Sequence, residues 1–220
     1  MRRATSVLAI MSFVLIAALP AGAAEKLEGP SPAMWLSDPD GVDGDSGIEQ
    51  GDPVEGSSGF ARVGKNGATI SVRATGLEPW HAYTMWVVYF NDSMKCVDGC
   101  NGPDFAAAGG GVIYGTGRIG WHNGKARFTD LIRNGDGESV VGEKPPPPFA
   151  FAPFKAGPNN EFHIVIRSHG PLIFGQIRDQ ITTYGGGCEV NVGPFPEQMV
   201  DLPVPLAPGE CGDVQLYVFS

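Results

Sequence analysis

Apolar and polar residues alternate with a period of two along several short stretches of this chain, the pattern of strands with one buried face. In Ala68–Ala74, Ile70 and Val72 oppose Thr69, Ser71 and Arg73. In Glu161–His169, Phe162, Ile164 and Ile166 oppose His163, Val165 and Arg167. In Val214–Phe219, Val214, Leu216 and Val218 oppose Gln215, Tyr217 and Phe219. His81–Phe90 departs from this rule. Trp86, Val88 and Phe90 share one side and Met85, Val87 and Tyr89 the other, so the pattern predicts a strand covered on both faces.

Turn residues divide the remainder. Gly64-Lys65-Asn66-Gly67 predicts a hairpin between Phe60–Val63 and Ala68–Ala74, and His122-Asn123-Gly124 a second one between Val112–Ile119 and Lys125–Ile132. Asn91–Phe105 and Asn134–Pro158 read as loops, the latter holding the polyproline run Pro145–Pro148. A short helix is expected over Gln176–Ile181, ended by Gly185-Gly186-Gly187. About seven short strands with turn-rich connections predict an all-β fold, a single immunoglobulin/fibronectin-like β-sandwich with long loops. The 32 glycines and 19 prolines agree, because both residues are poor in helix interiors.

Residues 1–24 carry Arg2, Arg3, an apolar run from Val7 to Leu19 and the small residues Ala21-Gly22-Ala23, the layout of a cleaved signal peptide. The expectation is an exported protein, secreted or periplasmic, with no transmembrane segment after cleavage. Residues 25–58 form an acidic, Gly/Pro-rich arm, and 59–220 the sandwich domain. The 15 Lys and Arg stand against 24 Asp and Glu, a formal charge of -9. That balance argues against a nucleic-acid or anionic-membrane partner, which would need a basic patch.

Export makes disulfides the natural fate of Cys96, Cys100, Cys188 and Cys211. Four cysteines allow three pairings, of which Cys96–Cys100 with Cys188–Cys211 is the most parsimonious. A four-thiolate zinc site would need closer spacing. Among the four histidines, His163 and His169 project from one strand face, and with a further Asp or Glu they could ligate copper or zinc. The acidic arm offers a second metal reading, since Asp38, Asp40 and Glu49 match positions 1, 3 and 12 of a calcium-binding loop. Against it, Asp43 stands where that loop needs glycine, and Val42 has no side-chain oxygen. Asp98, Asn101 and Asp104 are either cation ligands or loop formers. No Gly-x-Ser-x-Gly elbow is present, and Ser168 and His169, as strand neighbours, point to opposite faces. Trp35, Trp80 and Trp121 are candidates for stacking on carbohydrate or peptide.

The segments Ala74–Asn91, His163–Pro171, Thr182–Cys188 and Cys211–Val218 resemble a group of uncharacterised secreted bacterial β-sandwich-like proteins. The resemblance implies an exported sandwich-like domain and brings no activity with it. The Thr75-Gly76-Leu77-Glu78-Pro79 turn is also similar to those of fibronectin-like and superoxide-dismutase-like sandwiches. The copper-binding histidine cluster of the dismutases has no counterpart here. The reading is an exported module that binds an extracellular or cell-surface partner without catalysis and requires no cofactor. A copper- or zinc-dependent role for His163 and His169, or glycan binding, are the alternatives.

Overall fold

The computed structural model describes residues 25–27, 33–35, 53–97, 99–137, 152–191 and 207–220. They form an all-β sandwich of two antiparallel sheets. The smaller sheet contains β1 (Glu25–Lys26), β3 (Ser58–Gly64), β4 (Gly67–Ala74) and β7 (Ala126–Arg133), in the order β1-β3-β4-β7. The larger contains β2 (Met34–Trp35), β10 (Glu210–Phe219), β8 (Glu161–Pro171), β5 (His81–Phe90) and β6 (Gly110–Ile119), in the order β2-β10-β8-β5-β6. A two-residue strand, β9 (Val190–Asn191), runs parallel to the start of β10.

Strand alternation decides what lies between the sheets. Ile70, Val72, Phe128 and Ile132 of the small sheet meet Met85, Val87, Tyr89, Phe162, Ile164 and Ile166 of the large one. Each large apolar side chain buried there contributes about 1.5–3 kcal/mol. From β10, Tyr217 and Phe219 face inward, and Leu216 faces away. A bulge between Asp213 and Gln215 breaks the alternation just before them, so Val214 also joins the core.

β5 is buried along its whole length, as its two apolar faces demand. Its outward residues Trp86, Val88 and Phe90 join Phe105, Ala108, Val112 and Val165 in a second apolar cluster. Among the described residues, loops and short helices cover this cluster. One is pinned by the Cys96–Cys100 disulfide and includes α1 (Phe105–Ala108). Another carries α2 (Ile177–Thr182), one residue along from the expected helix, and is tied down by the Cys188–Cys211 disulfide. Both disulfides therefore have the parsimonious pairing. Among the described residues, no helix is long and apolar enough to cross a membrane.

Two features differ from the sequence expectation. Val112–Ile119 and Lys125–Ile132 do not pair as a hairpin. β6 pairs with β5 and β7 with β4, so the turn around His122 crosses from one sheet to the other. The turn chemistry is local, whereas the pairing partner follows from which face must reach the core. The strands β1 and β2 are the second difference. They lie within the stretch read as an arm, yet they extend the edges of both sheets and bring Leu27 and Ala33 into the core.

Sheet contact is close at Gly59, where an added Cβ would lie 2.9 Å from the Ser71 carbonyl oxygen and 3.0 Å from the Phe219 ring. Gly59→Ala is expected to cost about 1–3 kcal/mol by overpacking, and Phe219→Ala about 3–5 kcal/mol through the cavity it leaves. Urea unfolding midpoints at unchanged slope would read both values.

Candidate functional site

His163, Val165, Arg167 and His169 occupy alternate positions of β8 and point to the loop-covered side of the large sheet. The expected shared face is therefore present. Along it, six extended residues separate the two histidines by about 20 Å. They belong to different surroundings. His163 Nε2 lies 2.7 Å from Glu161 Oε1, and its ring meets Phe90 edge-on with centroids 5.4 Å apart. His169 is fully buried beneath the Cys188–Cys211 disulfide. One ion cannot take both as ligands.

The bonding around His169 assigns its protons. Its Nδ1 lies 3.0 Å from the Gly186 carbonyl oxygen, which only accepts, so Nδ1 carries the hydrogen. Its Nε2 lies 2.9 Å from Thr84 Oγ1, and Thr84 Oγ1 also accepts the Trp86 indole N–H at 2.9 Å. A continuous chain results: Trp86 donates to Thr84, Thr84 to His169, and His169 to Gly186. The imidazole is neutral in this chain. Burial and the neighbouring Arg167 charge lower its pKa to about 4.

Local sequence explains how the Gly186 carbonyl reaches the ring. Glycine at 186 lets the chain run against the carbonyl of Asp179 in the first turn of α2, a space that a Cβ would occupy. Gly187 then turns with φ 76°. Gln180, buried in α2, donates to the carbonyls of His169 and Pro171 and accepts from the Ile173 N–H, which locks the helix onto the end of β8.

Arg167 is buried beside this chain. Its Nη1 donates to Asp213 Oδ1 at 2.9 Å and its Nε to the Tyr184 carbonyl at 3.2 Å, and the guanidinium lies 4.1 Å from the centroid of the Tyr184 ring. Desolvation raises the Asp213 pKa while Arg167 opposes that rise.

As a metal centre, this region offers His169 Nδ1, Cys188 Sγ and Cys211 Sγ within 4.8 Å of one another. Both sulfurs are joined in a disulfide, and the Nδ1 hydrogen goes to Gly186. These atoms are thus committed to holding the loop. The calcium candidates Asp38, Asp40 and Glu49 lie outside the described residues, as does Asp98. Asp104 shapes its loop: its carboxylate accepts the Asn101 N–H at 3.0 Å and the Val97 N–H at 3.4 Å.

Accessible groups converge elsewhere, at one end of the sandwich. Glu78-Pro79-Trp80-His81 has the layout of a type II turn. The His81 N–H bonds the Glu78 carbonyl at 3.4 Å, Pro79 takes the second position, and Trp80 the third with φ 62°. That third position usually belongs to glycine or asparagine. Trp80 is the one described non-glycine residue with positive φ, and its side chain is 60% exposed. Neighbouring loops hold it from both sides, since its N–H donates to Gly120 at 3.0 Å and its carbonyl accepts from Leu172 at 3.2 Å.

Trp121, next to Gly120, is 64% exposed, and Phe174, two residues beyond Leu172, is 100% exposed. Three separate connections thus meet at one backbone junction, and each carries an exposed aromatic residue at it or within two positions of it. Phe174 was not expected from the sequence; the apolar run Pro171-Leu172-Ile173-Phe174 before Gly175 is the signal that marks it. Trp35 joins β2, pairing with Gln215 through its backbone.

For His169 the folded-state pKa lies below the ordinary 6.5, so the native protein binds fewer protons between about pH 6.5 and pH 4. The stabilisation it provides is complete above pH 6.5 and is lost as pH falls through about 4, an effect of about 3 kcal/mol. Subtracting the unfolding free energies of a His169→Gln variant from those of the parent, across that window, should isolate this slope. Asp213→Ala, which removes the counter-charge of a buried guanidinium, should cost about 3–5 kcal/mol, and Arg167→Met/Asp213→Leu distinctly less. Comparison with protein-family models, with curated proteins and with solved structures finds no match to this chain.

Proposed function

We propose that this protein is an exported binding module, not an enzyme, and that it holds its ligand at the loop end carrying Trp80, Trp121 and Phe174. The observation that carries this reading is the backbone of Trp80. A left-handed conformation costs a non-glycine residue about 1–2 kcal/mol, and such strain persists where the surrounding structure over-determines it. Here the strain holds an indole out in water, where it adds nothing to the core. A ligand that covers the indole would recover the apolar contact.

Export accords with the two disulfides, which belong to an oxidising compartment. A binding role accords with the state of the titratable groups that chemistry would use. His169, Arg167 and Asp213 are buried and bonded to one another's surroundings, out of reach of a substrate. The ligand class that suits rigid exposed indoles is a neutral glycan, because the C–H face of a sugar ring stacks on an aromatic plane without requiring charge.

A glycan array followed by calorimetric titration of the best hit would test this. Trp80→Gly is the diagnostic variant. Relief of left-handed strain, about 1–2 kcal/mol, is offset by the added chain entropy of glycine, about 0.5–1 kcal/mol. The melting temperature should therefore stay level or rise slightly while glycan affinity falls at least tenfold. An array without hits, or a Trp80→Gly protein that binds as tightly as the parent, would reject the reading.

A further inference from the structure

We propose that the solvent face of the small sheet, which gathers Lys26, Arg62, Arg73, Arg127 and Arg133, is a docking surface for an acidic polysaccharide. The proposal does not rest on the reading of the aromatic loop end, whose Trp121 turn borders the Arg73–Arg127 corner through the Leu77–Gly124 and Trp121–Lys125 backbone bonds.

The register places the charges. Outward positions of the small sheet are those opposite the core residues Ala61, Val63, Ile70, Val72, Phe128 and Ile132. Across the sheet, Arg73 of β4 is directly paired with Arg127 of β7, and Lys26 of β1 with Arg62 of β3. Arg133 closes the far end of β7 opposite Gly67. All five side chains are exposed. The remaining outward residues of β3, β4 and β7 are Ser, Thr, Gly, Phe60 and Leu131. No carboxylate belongs to this face among the described residues, in a chain with 24 acidic and 15 basic residues. Asp136, which accepts the Arg133 backbone N–H at 2.7 Å, stands beyond the strand end and marks the border.

Placing like charges directly opposite each other across a sheet is destabilising. Two such pairs occur here, and the described ion pairs involve none of these five residues. The fold could have relieved either pair with one glutamate and does not. An external polyanion would relieve both. The two cationic pairs occupy diagonal corners, four residues apart along the strands and two strands apart across them, a separation of about 16 Å. An extended chain with periodic charges can reach both. Four of the five cations are arginine, whose planar fork matches a carboxylate bidentately. Between the corners lie features suited to sugar rings: the Ser71–Thr129 hydroxyl pair at 2.9 Å, Thr69, and Phe60 with the Arg62 guanidinium 5.5 Å from its centroid. Arg118 of β6 adds a further guanidinium beside this corner, donating from Nε to the Arg127 carbonyl at 3.2 Å.

A lipid surface would also attract cations. This face, however, is rich in hydroxyls, with one half-buried phenylalanine and one leucine as its large apolar groups, and lacks the apolar wedge of interfacial binders. Nucleic acid belongs to reducing compartments more than to one that keeps two disulfides.

The test uses the full chain with both disulfides intact and polygalacturonate as the probe, titrated at low and at physiological salt. Binding is expected at low salt and should weaken about tenfold or more on addition of salt. Arg73→Gln/Arg127→Gln should weaken it at least tenfold and, by removing the repulsion, raise the melting temperature. A purely structural role for these arginines would lower both together. If that variant misfolds, Lys26→Gln/Arg62→Gln gives the same reading from the other corner. Absence of binding at low salt, undiminished binding by folded double variants, or preferential binding of phosphatidylserine vesicles or duplex DNA would each overturn the proposal.

Discussion

The large sheet has two apolar faces and, among the described residues, one partner sheet, and most of the described fold answers to that constraint. Facing the small sheet, Met85, Val87 and Tyr89 are buried by strands. On the other side, Trp86, Val88 and Phe90 must be kept from water by connecting segments. Loops cover apolar surface poorly, because their own backbone N–H and C=O groups must also find partners. This chain meets the difficulty twice over. Disulfides hold the covering segments in place, polar side chains of the sheet reach up to their carbonyls, Arg167 to Tyr184 and His169 to Gly186, and Gln180 of the covering helix reaches back to the β8 carbonyls of His169 and Pro171.

The same constraint accounts for the character of the buried titratable cluster. Histidine, arginine and aspartate close together in a fold usually invite a catalytic reading. Here each is committed to closing a loop onto a sheet, and the lowered pKa of His169 is a consequence of that burial. Perturbed titration in this region reports packing. The accessible chemistry instead lies at the turn that holds Trp80 outward and on the exposed outward positions of the small sheet. The second of these shows why overall charge is a poor guide to local charge. A formal charge of -9 coexists with a sheet face bearing five cations, because strand register, not composition, decides which side chains become neighbours.

The sequence by itself determined the fold class, most strand positions, the double burial of β5 and both disulfides. Those properties follow from period-two alternation, turn residues and cysteine spacing, which are local or nearly so. Strand bounds read from the chain agree closely with the structure for His81–Phe90 and for Ala68–Ala74, where the alternation is cleanest. The shared face of His163 and His169 is legible for the same reason, and the six extended residues between them put the two rings about 20 Å apart, too far for one ion.

Only the tertiary structure decided the rest. That β6 and β7 part to different sheets depends on core-facing sides meeting across the sandwich, which no turn signal encodes. The pairing of Arg73 with Arg127 joins residues 54 positions apart and exists only through β4–β7 register. His169 became neutral because a disulfide, a glycine carbonyl and a threonine from three distant segments enclose it. Pro79 hinted at the turn holding Trp80, yet its positive φ is imposed by Gly120 and Leu172 on either side. Local periodicity specifies elements; long-range contacts specify which of their side chains meet, and in this protein that is where the candidate surfaces arise.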